Sequence, residues 1–310
     1  MTPPPASTTS VTSPPSPSPS IAVCDKCGKP ARYGSELECR ACYWPHAMYA
    51  PNVQMAQDLE DALQTRFESV GQKASQESWE PLLDAMVEVG ARSEAVVAVD
   101  VTFAFELFRN ARTLHIPYVE QVRGGVRASA SDEDDSRRRL VDILIYGRHG
   151  ERMNFAALSG DGQGIPGWGP VFLQLDIQAI GYRSTVIEEN SYAFVRSRGL
   201  SEETLEDRMN LIAGYMSVWD SRQKLVASKL APRLSKLSPP INHEETLIDP
   251  GSGRKDADYL EVNIFGPYNH QSIKNVRALG VYFKQPINAL QFDALQEVVL
   301  EVLGRPIEVI

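Results

Sequence analysis

Charge is absent from the first 22 residues, MTPPPASTTSVTSPPSPSPSIA, which are mostly Pro, Ser and Thr. A segment with so little apolar surface cannot offset the entropy of ordering itself, so it reads as a PPII-biased tail. It also lacks the basic n-region and apolar h-region of a secretory signal, which points to a cytoplasmic chain. No run of 18 or more apolar residues occurs, so no membrane helix and no membrane partner are expected. Basic excess is missing too: 31 Lys and Arg stand against 40 Asp and Glu, a net charge of −9. A global electrostatic footprint for nucleic acid is therefore not expected, although a local one is not excluded. The chain contains no GxxxxGK[ST] phosphate loop, no HExxH or HxH pair and no GxSxG elbow, so those mechanisms gain no support.

Cysteine is missing from all but residues 24–42. There Cys24-x-x-Cys27 and Cys39-x-x-Cys42 form two CxxC knuckles separated by eleven residues. Four thiolates at this spacing can close the tetrahedral shell of one Zn²⁺, which makes a structural rather than a catalytic site. Disulfides would need an oxidising compartment, and a redox CxxC comes singly. His46 could replace one ligand, but four thiolates already suffice. The run CDKCGKPA…CRAC resembles the zinc-ribbon knuckles of many bacterial and phage proteins.

The length, 310 residues, suits one large domain or two small ones. The pattern predicts a tail over 1–22, a zinc ribbon over 23–50, a helical region over 51–150 and an α+β domain over 151–310. Helices are expected from about Val53 to Val70, from Ser78 as N-cap to Gly90, and over Asn288–Leu303. Residues 94–108 are a helix, or a buried strand followed by one. The acid–base block over 123–139 reads as a solvated loop before a helix at Arg138–Tyr146. Strands are expected at Met153–Leu158, Pro170–Asp176, Ser184–Ile187, Asp258–Phe265, Val281–Phe283 and Ile307–Ile310. Ser201–Lys229 reads as one long helix, and Gln271–Ala278 as the start of a short one.

Glu261 stands out because it sits mid-strand, with Tyr259 and Asn263 on its own face. Such a carboxylate either faces solvent on an edge strand or is held by partners. A Gly-rich turn, a strand ending in Asn190-Ser191-Tyr192, and a late strand with Glu261, Ile264 and Gly266 follow in order. This order resembles bacterial ADP-ribosyltransferase-like domains of the toxin or effector type, over at most residues 150–285. The resemblance implies NAD as substrate and Glu261 as the carboxylate beside the ribose. It also implies that Tyr192 or Tyr182 stacks on nicotinamide, that Asn190 and Ser191 position ribose or strands, and that Arg148 or Arg152 meets the pyrophosphate. The chain departs from that family in having Tyr259 two residues before the glutamate and no Ser-Thr-Ser triplet. The alternative is a zinc-ribbon module that docks a protein or nucleic acid, with a catalytically silent α+β body.

Overall fold

A computed structural model describes residues 50–124, 132–238, 240–251 and 257–310. Cys24, Cys27, Cys39, Cys42 and His46 lie outside the described residues, as does the N-terminal tail. All described residues belong to one compact unit, Pro45–Ile310.

In chain order, α1 (Pro51–Asp58), α2 (Glu60–Glu77) and α3 (Glu80–Arg92) precede β1 (Glu94–Val99) and α4 (Val101–Arg109). Next come α5 (Tyr118–Arg123), α6 (Asp132–Tyr146), β2 (Met153–Ser159), β3 (Val171–Leu175), α7 (Ile177–Ile180) and β4 (Ser184–Ile187). They are followed by α8 (Ser191–Arg198), α9 (Arg208–Ile212), β5 (Met216–Val218) and α10 (Arg222–Leu234). The last elements are β6 (Ile248–Asp249), β7 (Asp258–Tyr259), β8 (Glu261–Phe265), β9 (Ile273–Ala278), α11 (Pro286–Leu303) and β10 (Glu308–Val309).

Eight strands form one sheet in the order β10-β9-β3-β1-β2-β8-β4-β5, antiparallel except for the β10–β9 pair. The short β6–β7 pair stands apart from it. Strand alternation sorts the side chains into two faces. Val97, Leu158, Leu173, Val262 and Ile264 enter one core with Met86 of α3 and Leu225, Val226 and Leu230 of α10. Leu107 of α4 and Leu295 and Val299 of α11 join the same core. The opposite side of β8 carries Glu261 and Asn263. There Asn52 of α1 donates Nδ2 to the carbonyls of Arg183 (3.1 Å) and Asn263 (3.0 Å).

The mixed helix-and-sheet class is as expected, but several elements differ from the sequence pattern. Residues 94–108 are strand then helix: Asp100 accepts from Phe103 N at 2.8 Å and so starts α4 directly after β1. Because β1 lies in the middle of the sheet, residue 150 does not separate a helical region from an α+β body. Ser78 is no N-cap; it ends α2 in the left-handed region at φ 60°. The helix expected over Ser201–Lys229 is broken, since Gly214 turns at φ 81° and Met216–Val218 pairs with β4. Gln271–Ala278 does not become helix, because Ile273–Ala278 extends and pairs with β3. Val281–Phe283 lies at a 3₁₀ turn rather than in a strand. The strand Asp258–Phe265 splits at Leu260, so its first half pairs with β6 and its second joins the large sheet.

Candidate functional site

Glu261 is the first residue of β8, which is flanked by β2 and β4. It is therefore not on an edge, and its exposure is 2%. Its carboxylate accepts from the Ser191 hydroxyl at Oε1, and from Ser191 N and the Tyr259 hydroxyl, each at 3.4 Å, at Oε2. Asn190 makes this possible at a distance. It accepts from Ala193 N at 3.0 Å to start α8 and donates to Ala257 O at 3.0 Å, which brings Ser191 against β8.

Glu261 opens onto a cavity of about 320 Å³. Tyr259, Tyr192, Arg138, Phe155, Trp168 and His115 also line it. This volume lies at the lower end of the range of small-ligand pockets. Ala98 and Ala157 supply small side chains to its lining, and Ala157 sits directly across from Glu261.

Arg138 and Asp142 come from α6, one helical turn apart, on the face that also buries Val141 and Ile145. Arg138 Nε donates to Asp142 Oδ2 at 3.2 Å, and Nη2 lies 3.0 Å from Oδ1. The guanidinium also covers the Phe155 ring at 3.8 Å and stands 5.4 Å from that of Tyr192. One cation thus serves two buried carboxylates. Burial pushes the Asp142 carboxyl up to about 7 against the opposing pull of Arg138, and the Glu261 charge adds to the rise. Burial raises the Glu261 pKa as well, opposed by Arg138 and by the Ser191 and Tyr259 hydrogen bonds. Arg138 itself stays charged, because both carboxylates favour its cation.

A carboxyl whose pKa is raised in the fold contributes stability at acid pH that is lost as pH climbs through the folded value. Asp142 therefore predicts a decline in stability from about pH 4 to about pH 7, of order 4 kcal/mol at most. Denaturant melts across this range should show that slope in the native chain and a flatter one in Asp142→Asn. Equal slopes would contradict the assignment.

At the other end of the cavity, Asn154 donates Nδ2 to Gly266 O at 2.8 Å, so its Oδ1 faces His115 Nδ1 at 3.0 Å. That amide orientation places the proton on Nδ1. The ring stacks on Tyr268, centroids 4.6 Å apart, and meets Phe103 edge-on at 5.3 Å.

Of the residues singled out in the sequence, Glu261 and Tyr192 line the cavity, and Ser191 and Asn190 sit behind it as partner and cap. Arg148 and Arg152 do not line it. They lie in the 3₁₀ turn Gly147–Arg152, where Arg148 bonds His149 and Arg152 covers the Phe265 ring at 4.8 Å. Tyr182 lies in another 3₁₀ turn, Gly181–Arg183, also outside the lining. Arg138, Asp142 and His115 were not singled out. The signal for the first two was an apolar helix face, with Val141 three residues after Arg138 and Ile145 three after Asp142. His115 left no local signal. Gly162, Gly164 and Gly167 have the GxGxxG spacing, but the 3₁₀ turn Pro166–Trp168 and β3 follow, not the helix N-terminus such a motif needs.

Among the described residues no cluster of three or more His, Cys, Asp or Glu could hold a metal, and no helix is long and apolar enough to cross a membrane. No family model, curated protein or solved structure matches the chain.

Proposed function

We propose that the chain is an ADP-ribosyltransferase-like protein that consumes NAD at this cavity, with a structural Zn²⁺ held by Cys24, Cys27, Cys39 and Cys42. The observation that carries the reading is Glu261: a buried carboxylate on an inner strand, held by Ser191 and facing the same cavity as Tyr192. Cleaving the bond from C1′ of the ribose to nicotinamide develops positive charge on the sugar. A carboxylate fixed in a site shielded from water stabilises that charge more strongly than water does. The Ser191 and Tyr259 donors orient it and favour its anionic form. Tyr192 and Phe155 offer aromatic faces to a flat ring, and Arg138, not Arg148 or Arg152, is the cation at hand.

The test is nicotinamide release from NAD, with and without a lysate as acceptor source. Glu261→Gln keeps shape and hydrogen bonding but removes the charge, so release should fall by about 10²-fold or more. In the native chain the rate should rise with pH as Glu261 ionises. Release no greater than from a heat-killed sample would sink the transferase reading. Metal analysis of the full chain should find about one zinc per chain.

A further inference from the structure

Arg148 and Arg152 stand outside the cavity, but other arginines gather round their turn. Gly147–Arg152 contains one acid, Glu151, and three further segments reach it. Arg123 of α5 pairs with Glu151 at 3.3 Å, and Arg139 of α6 pairs with it too. Arg208 of α9 crosses Gly147, where a Cβ would stand 3.0 Å from its Nη1. Burial lowers the His149 pKa, and the charges of Arg148 and Arg152 lower it further, so that ring is neutral at pH 7. Arg148 donates Nε to it at 3.2 Å, a neutral nitrogen rather than an acid. The turn's carboxylate is thus already shared by two arginines, and positive charge gathers here although the chain as a whole carries −9.

The turn borders the cavity. α5 supplies Tyr118 and Gln121 to the lining and Arg123 to the turn. α6 supplies Arg138 to the lining and Arg139, the next residue, to the turn. β2 leaves the turn at Met153 and lines the cavity from Asn154. Trp168, also in the lining, is 41% exposed, so a large aromatic surface at the cavity is open to solvent.

We propose that the arginine turn and Trp168 form a surface for single-stranded nucleic acid, with backbone phosphates on Arg123, Arg139 and Arg148 and an unpaired base on the indole. Guanidinium groups take phosphate oxygens in a planar, two-pronged geometry that lysine lacks. An aromatic face accepts any base, because every base has a π-face. A phosphopeptide or a lipid headgroup would use the arginines but bring no flat ring to the indole, and a duplex keeps its bases stacked on one another. The surface does not depend on NAD being consumed, since the reading of the cavity assigns neither these arginines nor Trp168.

Fluorescence anisotropy of the full chain with a labelled oligothymidylate of about 20 nucleotides tests it. Arg123→Glu, Arg139→Glu and Arg148→Glu, all on exposed side chains, should together weaken binding about 30-fold or more. They should also reduce the slope of log affinity against log salt by about 2, as loss of three single-strand phosphate contacts requires. Arg92→Glu, Lys284→Glu and Arg305→Glu together change the net charge equally on exposed residues of other segments, and should stay within about twofold of native. Trp168→Ala should weaken oligothymidylate binding about fivefold or more and leave the salt slope and duplex binding unchanged. If the first triple variant does not fold, Arg148→Glu alone decides, with a loss of about threefold. No binding at about 50 mM salt, equal losses in the two triple variants, or native affinity in Trp168→Ala would overturn the proposal. So would binding of phosphatidylserine vesicles or a phosphoserine peptide without binding of oligothymidylate. Oligothymidylate binding without nicotinamide release would leave this surface standing and remove only the transferase reading.

Discussion

Arg138→Met should destabilise the fold by roughly 3–5 kcal/mol at pH 8, and by much less at pH 5. The substitution keeps the length and apolar stem of the side chain. What it removes is the charge between Asp142, 3.0 Å away, and Glu261. At pH 8 both carboxylates would then be buried with no cation, a state far costlier than the same groups protonated. At pH 5 both acids take up protons, since burial already raises their pKa values and losing the cation raises them further. The remaining loss at acid pH is the contact of the guanidinium with the Phe155 ring, about 1 kcal/mol. Urea melts at the two pH values measure the difference, and adding Asp142→Asn to Arg138→Met should recover part of the pH 8 loss. A loss that does not depend on pH would mean that Arg138 acts by packing, not charge.

Arg183→Met should cost about 3–5 kcal/mol at any pH between 5 and 8. Arg183 is 2% exposed. Its Nη1 donates to the carbonyls of Phe265 (2.7 Å), Gly266 (3.2 Å) and Pro267 (3.0 Å), where the chain leaves β8. Gly266 turns there at φ 76°, so successive carbonyls converge on one point that no strand can satisfy. A methionine would take this donor from the Phe265 and Pro267 carbonyls, while Gly266 O would keep its bond from Asn154 Nδ2. The damage should reach the cavity, because the same turn carries Tyr268, whose backbone pairs with His115 and whose ring stacks on it. Arg183→Lys should recover only part of the loss, since an ammonium cannot reproduce the planar fork. Thermal melts should rank native above Lys above Met. A Met variant as stable as native would show that the Phe265 and Pro267 carbonyls find other donors.

The two variants separate two kinds of buried cation. Arg138 is balanced by Asp142, whose carboxyl burial pushes up to about 7, and by Glu261, whose pKa burial also raises, so its contribution changes with pH. Arg183 is held by carbonyls, which do not titrate.

What the amino-acid order determined by itself was local. The apolar periodicity of α11, the alternation through Asp258–Phe265 and the mixed α+β class follow from neighbours a few residues apart. So did the choice of Glu261, because a carboxylate in an alternating strand is conspicuous wherever that strand goes. Tertiary structure decided whether the strand was inner or edge, and hence whether Glu261 met water or Ser191. It turned the segments at 216–218 and 273–278 into strands, since only pairing with β4 and β3 rewards extension there. It also selected Arg138 over Arg148 and Arg152: a helix face aims its residues at whatever it packs on, and no sequence window contains that partner. The end of the β1–β2 ladder at Val96 and Ala157 belongs entirely to this second category. A ladder ends where two strands diverge in space, and residues 57 positions apart, Ala98 and Phe155, carry no local trace of that divergence.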